Sequence, residues 1–260
     1  MSKVKIGLSM LYCLSEPFGK MVKRLGTVTT PYIEVVDDGL HTLSKKRVAM
    51  LNEAAKSSGV KFTVHSPFAD INIASPSKPM LKAALKRLEQ SMSYANALDA
   101  RLWVLHPGCK TGISMFYLGD DWKQNVKSIQ ALHKTANDYG VTLAIENLPE
   151  KYGFLMKGAE DFQRFYDESG LDIGIVLDVG HANLEGRVEP FLQKLPNKLV
   201  HVHVSDNMGE NDQHLGIGYG AINWRNFVET LKQIGFSGTV VTESVEHVEE
   251  SLQKLRQLFA

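Results

Sequence analysis

The chain has 260 residues, 43% of them apolar, enough to bury a sizeable core. Its 29 basic residues balance its 29 acidic ones, and the pI is near 7.1, which excludes bulk electrostatic attraction to nucleic acid or to a membrane surface. Two cysteines, Cys13 and Cys109, make neither a metal-binding pair nor a disulfide framework, and no apolar run has the length of a signal peptide or a membrane span, so a cytoplasmic setting is expected.

Along the chain, short β-branched or aromatic runs alternate with longer amphipathic stretches. The first strands are expected near 3–9, 32–36 and 61–65, with a helical pattern over 43–58 between the second and third. A helix over 78–98 follows, opened by Pro79, then a strand at 101–106 and a helix over 121–139. Strands at 141–146, 173–178 and 199–204 come next, then a helix over 223–235 and a last strand at 239–243. Gly59, Gly140, Gly170 and Gly235 are placed to end helices in the left-handed conformation. Eight strands, nearly all followed by a helix, predict an α/β chain folded as a (β/α)8 TIM barrel, one domain over 1–260. A doubly wound open sheet would need a glycine-rich phosphate turn after its first strand, and LSMLYCLSEP offers none.

Six of the apolar runs stop at an acid or a histidine: FTVH, LWVLH, TLAIE, GIVLD, VHVH and TVVTE. With their neighbours they supply His65, His106, Glu146, Asp178, His181, His203, Asp212, His214 and Glu243. A lone residue of this kind at a strand end is usually a hydrogen-bonded rim residue. Nine together, at the end where barrels carry their active sites, predict a divalent-metal site. The residues two before the polar termini, Thr63, Val104, Ala144, Val176, His201 and Val241, share their face and are mostly small or branched, as a barrel interior requires. His201 is expected to be a buried, hydrogen-bonded core residue. Glu34 is expected to point inward from the second strand, with His65 as its partner. His41, His133 and His247 are expected to be solvated. Phe68 and Tyr12 are candidates for a substrate wall, and Phe116 and Tyr117 are expected to pack rather than to form a lid.

The segments VHSPFADINIASPS, VLHPG, AIENLPE, VLDVGHANLEG, HVHVSDN, DQHLGIGYGAINW and TVVTES resemble the xylose-isomerase-like TIM-barrel superfamily over about 180 residues. That group holds sugar-phosphate isomerases and epimerases and the endonuclease IV family of abasic-site nucleases. The isomerase resemblance implies one divalent ion (zinc, manganese, magnesium or cobalt) held by Glu146, Asp178, His203 and Glu243. It also implies proton transfer by Glu146 and Glu243 on a small sugar or sugar phosphate, with His65, His106, His181 and Phe68 touching the substrate. The endonuclease resemblance implies a trinuclear zinc site completed by His65, His106, His181, Asp212 and His214.

The loops favour the sugar. About ten acids (Glu16, Asp37, Asp38, Asp70, Asp120, Asp121, Glu150, Glu185, Asp206 and Glu210) are expected around the mouth against about five bases (Lys78, Lys110, Lys151, Lys157 and Arg187). A DNA surface needs the reverse. The strand-2 loop, VDDG, lacks the Arg, and PFAD lacks the bulky pair, that the endonucleases insert into DNA. Some ketose epimerases carry a substrate-binding Arg six residues after the strand-7 His, and that position is Gly209 here. A metal-binding module without turnover and a barrel whose site has decayed are the non-catalytic readings; the complete ligand set speaks against both. Oligomeric state is not legible.

Overall fold

In the computed structural model, which describes residues 4–184 and 186–260, eight parallel strands close on themselves in chain order. They are β1 (Lys5–Ser9), β2 (Tyr32–Val36), β3 (Lys61–His65), β4 (Leu102–Leu105), β5 (Thr142–Glu146), β6 (Gly174–Asp178), β7 (Leu199–Val204) and β8 (Thr239–Thr242). The helices around them are α1 (Phe18–Arg24), α2 (Lys45–Ser58), α3 (Lys78–Ala97), α4 (Asp120–Asp138), α5 (Ala159–Ser169), α6 (Val179–Asn183), α7 (Val188–Lys194), α8 (Trp224–Gln233) and α9 (Val248–Phe259). Lys3, Glu185 and the side chain of Glu150, which enter the sequence reading, lie outside the described residues. Among the described residues no helix is long and apolar enough to cross a membrane.

The two-residue period of the strands divides the core. Trp103, Leu105, Leu143, Ile145, Ile175 and Leu177 join one cluster with the apolar faces of the helices. The residues between them, Val104, Ala144 and Val176, form a separate small cluster with Leu102. That alternation sends branched or small side chains inward, where eight strands leave little room, and bulky ones outward under the helices.

Local signals set the helix ends. Ser44 caps α2 by accepting from Arg47 N, so that helix starts at Lys45 rather than at 43. Gly59 and Gly170 close α2 and α5 at φ of 74° and 66°. The short α6 has no counterpart in the sequence reading. It starts because Asp178 Oδ1 accepts from His181 N at 2.7 Å, so one residue both ends β6 and caps the next turn.

The segment between β7 and α8 is organised by Asp206, which the sequence reading counts as a rim acid. The structure buries it completely. Its carboxylate accepts from Asn207 N, Ile222 N and Gly218 N, and from Trp224 Nε1 at 2.8 Å. Its backbone exchanges two hydrogen bonds with Leu215. Replacing Asp206 with Ala strands these buried donors, so a destabilisation of about 3 kcal/mol or more is expected. Urea unfolding of D206A would check it; a midpoint equal to wild type would refute the assignment.

Candidate metal centre at the barrel mouth

β3, β5 and β6 end on His65, Glu146 and Asp178, and His203 lies one residue before the end of β7. His106 and Glu243 stand one residue past β4 and β8, yet Glu243 N still donates to Val204 O at 2.9 Å, which keeps the ladder running beneath its side chain. All nine sequence candidates converge at this mouth. Glu146, Asp178, His203 and Glu243 each offer a ligand atom within 4.8 Å of the others. His65, His106 and Glu146 form a second such group, and His181, Asp212 and His214 a third.

Glu146 is the hub. Its Oε2 lies 3.2 Å from His65 Nε2 and 3.1 Å from His106 Nε2. Its Oε1 lies 3.2 Å from His203 Nδ1 and 3.6 Å from His181 Nδ1. His203 Nδ1 is also 3.7 Å from Glu243 Oε1, so this nitrogen faces two glutamates. Asp212 Oδ2 bridges His181 and His214, 3.2 Å from each Nε2. The phenyl ring of Phe68 stands 5.4 Å from the His65 ring and 5.3 Å from that of His106.

Burial acts against charge here, and at Glu146, His65, His181 and His214 the neighbours overturn it. Burial works to raise the Glu146 carboxyl, but His203 and His106 hold it well below the ordinary carboxylate range. Burial works to lower His65, but the Glu146 carboxylate lifts it to about 9. His181 is lifted to about 10 by Asp178 and Asp212 against the same burial, and His214 to about 9 by Asp212. His106 stays below its ordinary value, since burial outweighs Glu146 there. Burial pushes Asp178 up to about 6. Asp178 Oδ2 and Asp212 Oδ1 are buried without a hydrogen-bond partner, as carboxylate oxygens are when a cation is their natural neighbour.

Several sequence expectations are corrected. Glu34 points into the barrel, but its partners are Thr63, His201 and His203 rather than His65. His41 is buried, not solvated: its ring packs edge-on against Phe18, and Nε2 donates to the Glu16 carbonyl at 3.1 Å. Phe116 and Tyr117 do not pack: they are 74% and 53% exposed, beside Met115 and Leu118 at 70% and 85%. The Tyr12 ring lies 5.5 Å from the Arg24 guanidinium. Besides Asp206, two more of the counted rim acids do structural work. Asp37 is buried against Arg87, and Asp38 accepts from Phe68 N and Ala69 N at 2.8 Å, which fixes the turn that carries Phe68. Gly209 has φ of 86°, a conformation in which an Arg would be strained. His201 is buried and paired as expected.

In AIENLPE the sequence sets Asn147 next to Glu146 and assigns it no role. It accepts from Asp178 N, donates to Asp178 O, and receives His181 Nδ1 on its carbonyl at 2.9 Å, tying β5 to the start of α6. A side-chain amide directly after a strand-end glutamate was the available signal.

The family model of the xylose isomerase-like TIM barrel matches residues 23–258, and the chain belongs to that family. A solved structure described as a D-tagatose 3-epimerase-like protein superposes with a TM-score of 0.92 at 30% identity, covering 98% of this chain and 97% of that one. D-psicose 3-epimerase of Enterocloster bolteae is 24% identical over 92% of this chain and 82% of its own length. A probable endonuclease 4 of Staphylococcus aureus is 28% identical over 62% of this chain and 58% of its own length.

The lifted histidines set a pH dependence. His65, His181 and His214 have folded values of about 9 to 10 against an ordinary 6.5. Stability from such groups is complete below about pH 6.5 and is lost as pH rises through 9 to 10. The metal-free chain is therefore expected to melt at progressively lower temperature between pH 6.5 and 9.5. A melting temperature that climbs across that window would contradict the charge arrangement.

Proposed function

We propose that this member of the xylose isomerase-like TIM-barrel family is a divalent-metal-dependent isomerase or epimerase of a small sugar or sugar phosphate. The observation that carries the reading is that Glu146 and Glu243 both approach His203 Nδ1, at 3.2 and 3.7 Å, and share one buried group with Asp178. The epimerase relatives support the substrate class.

The donor set fits a metal. Two glutamates, an aspartate and an imidazole crowd within 4.8 Å, and the unpartnered Asp178 Oδ2 is what a cation would satisfy. This nitrogen and oxygen set suits zinc, manganese, magnesium or cobalt. A divalent ion bound there would polarise a sugar carbonyl and the neighbouring hydroxyl, acidifying the carbon-bound hydrogen between them.

The chain's own groups then divide the work. Glu146, kept ionised by its imidazole neighbours, removes the proton from carbon. Glu243, whose Oε1 lies 3.7 Å from His203 Nδ1, returns a proton to the opposite face or to the adjacent carbon. His65, His106 and His181 present ring nitrogens to substrate hydroxyls. Phe68 lines that side of the site, its ring against those of His65 and His106. Because position 209 is a left-handed glycine, the sugar is held without the Arg that some ketose epimerases place there.

The second reading, cleavage of abasic DNA with three zinc ions, is favoured by the complete His65–His106–Glu146 and His181–Asp212–His214 groups. The VDDG and PFAD loops oppose it, since Asp37 and Asp38 are both committed to internal bonds and no basic side chain replaces them.

Glu146→Gln and Glu243→Gln should each lower turnover by about 10²- to 10⁴-fold with unchanged circular dichroism. The assay is a panel of ketoses and sugar phosphates in D2O with manganese supplied, read by deuterium appearing on carbon. Efficient incision of an abasic duplex at low salt, with no deuterium in any sugar, would replace the isomerase by the nuclease.

A further inference from the structure

The histidines at the mouth must each present one ring nitrogen to the site, and the partner of the other nitrogen decides which one. In three of them that partner is backbone. His65 Nδ1 donates to Ser66 O at 2.8 Å, His181 Nδ1 to Asn147 O at 2.9 Å, and His214 Nδ1 to Glu243 O at 3.1 Å. Each then turns Nε2 to a carboxylate: Glu146 for His65, Asp212 for the other two.

His203 is reversed. Its Nδ1 faces Glu146 and Glu243, and its Nε2 faces Glu34 Oε1 at 3.0 Å. It lies within a strand, where neighbouring backbone carbonyls serve the sheet, so only a side chain from across the barrel can hold the inner nitrogen. Glu34 is fully buried on β2. Its Oε2 takes Thr63 Oγ1 and His201 Nε2 at 3.1 and 3.0 Å. Oε1 is left with His203 Nε2 alone, and neither buried atom has a hydrogen-bond partner elsewhere among the described residues.

We propose that Glu34 is the positioning residue of the centre. It holds the proton of His203 on Nε2, so that Nδ1 is the nitrogen presented to Glu146 and Glu243. The inference rests on the metal centre proposed above. Three of the ring orientations are set by main chain and tolerate substitution, whereas this one depends on a replaceable carboxylate. An anionic acceptor behind an imidazole also makes it a stronger ligand, and loss of such a partner typically costs 10- to 100-fold in metal affinity.

The test uses zinc, which is diamagnetic, on the full chain. Calorimetric titration should show Glu34→Gln binding zinc about 10- to 100-fold more weakly than wild type, with matching circular dichroism. In the nitrogen-15 spectrum of the zinc-loaded wild type, His203 should carry its proton on Nε2 and its metal-shifted nitrogen should be Nδ1. A folded Glu34→Gln chain with zinc affinity within threefold of wild type would overturn the role of Glu34 and leave the metal centre standing. A proton on Nδ1 of zinc-loaded His203 would overturn it whether or not the variant folds. Absence of zinc binding by the wild-type chain would overturn the centre and this inference with it.

Discussion

A single carboxylate, Glu146, surrounded by four imidazoles, is the interaction on which the mouth of the barrel depends. A buried carboxylate is tolerated only with close partners of opposite charge or strong donors. Here they arrive from β3, the β4 exit, α6 and β7, so the site assembles only when the strands are in register around the closed sheet. The surrounding charges alternate in the same way. Glu34 stands behind His203, His203 faces two glutamates, and Asp212 lies between two imidazoles. Protons shared among these groups hold the lattice together.

Strand ends and site residues were legible because the barrel writes them locally. A short run of branched residues followed by an acid or a histidine gives the element, its end and the polar group at once. The predicted strands at 32–36, 61–65 and 199–204 match those of the structure. Pairings across the barrel were not legible. Glu34 was read as pointing inward, but its partners depend on how the closed sheet staggers β2 against β7, 167 residues away. The loop acids failed for a related reason. The partner of Asp37 is Arg87, on a helix fifty residues further on, and nothing around VDDG announces it. Burial of His41 is likewise tertiary, since Phe18 and the Glu16 carbonyl come from the preceding β/α unit.

The run of exposed apolar side chains at Ile113 to Leu118 has the opposite character. Its composition asks for burial and the fold does not supply it. Propensity reasoning treats a cluster of Met, Phe, Tyr and Leu as core, but a long connection after β4 lies outside the reach of the barrel's two cores.

The bracket formed by Asp206 has a consequence for how this scaffold can vary over evolutionary time. One carboxylate gathers both ends of the segment that carries Asp212 and His214, from Asn207 at the start to Trp224 at the finish. The barrel registers the segment at both ends and again at His214, Leu215 and Gly218, and leaves the stretch around Met208 and Glu210 at the surface. Insertions or deletions near Met208 and Glu210, which are exposed, can be absorbed between those anchors without moving a strand. The segment that carries Asp212 and His214 can thus change length at its exposed tip while Glu146, Asp178, His203 and Glu243 stay fixed by the strands.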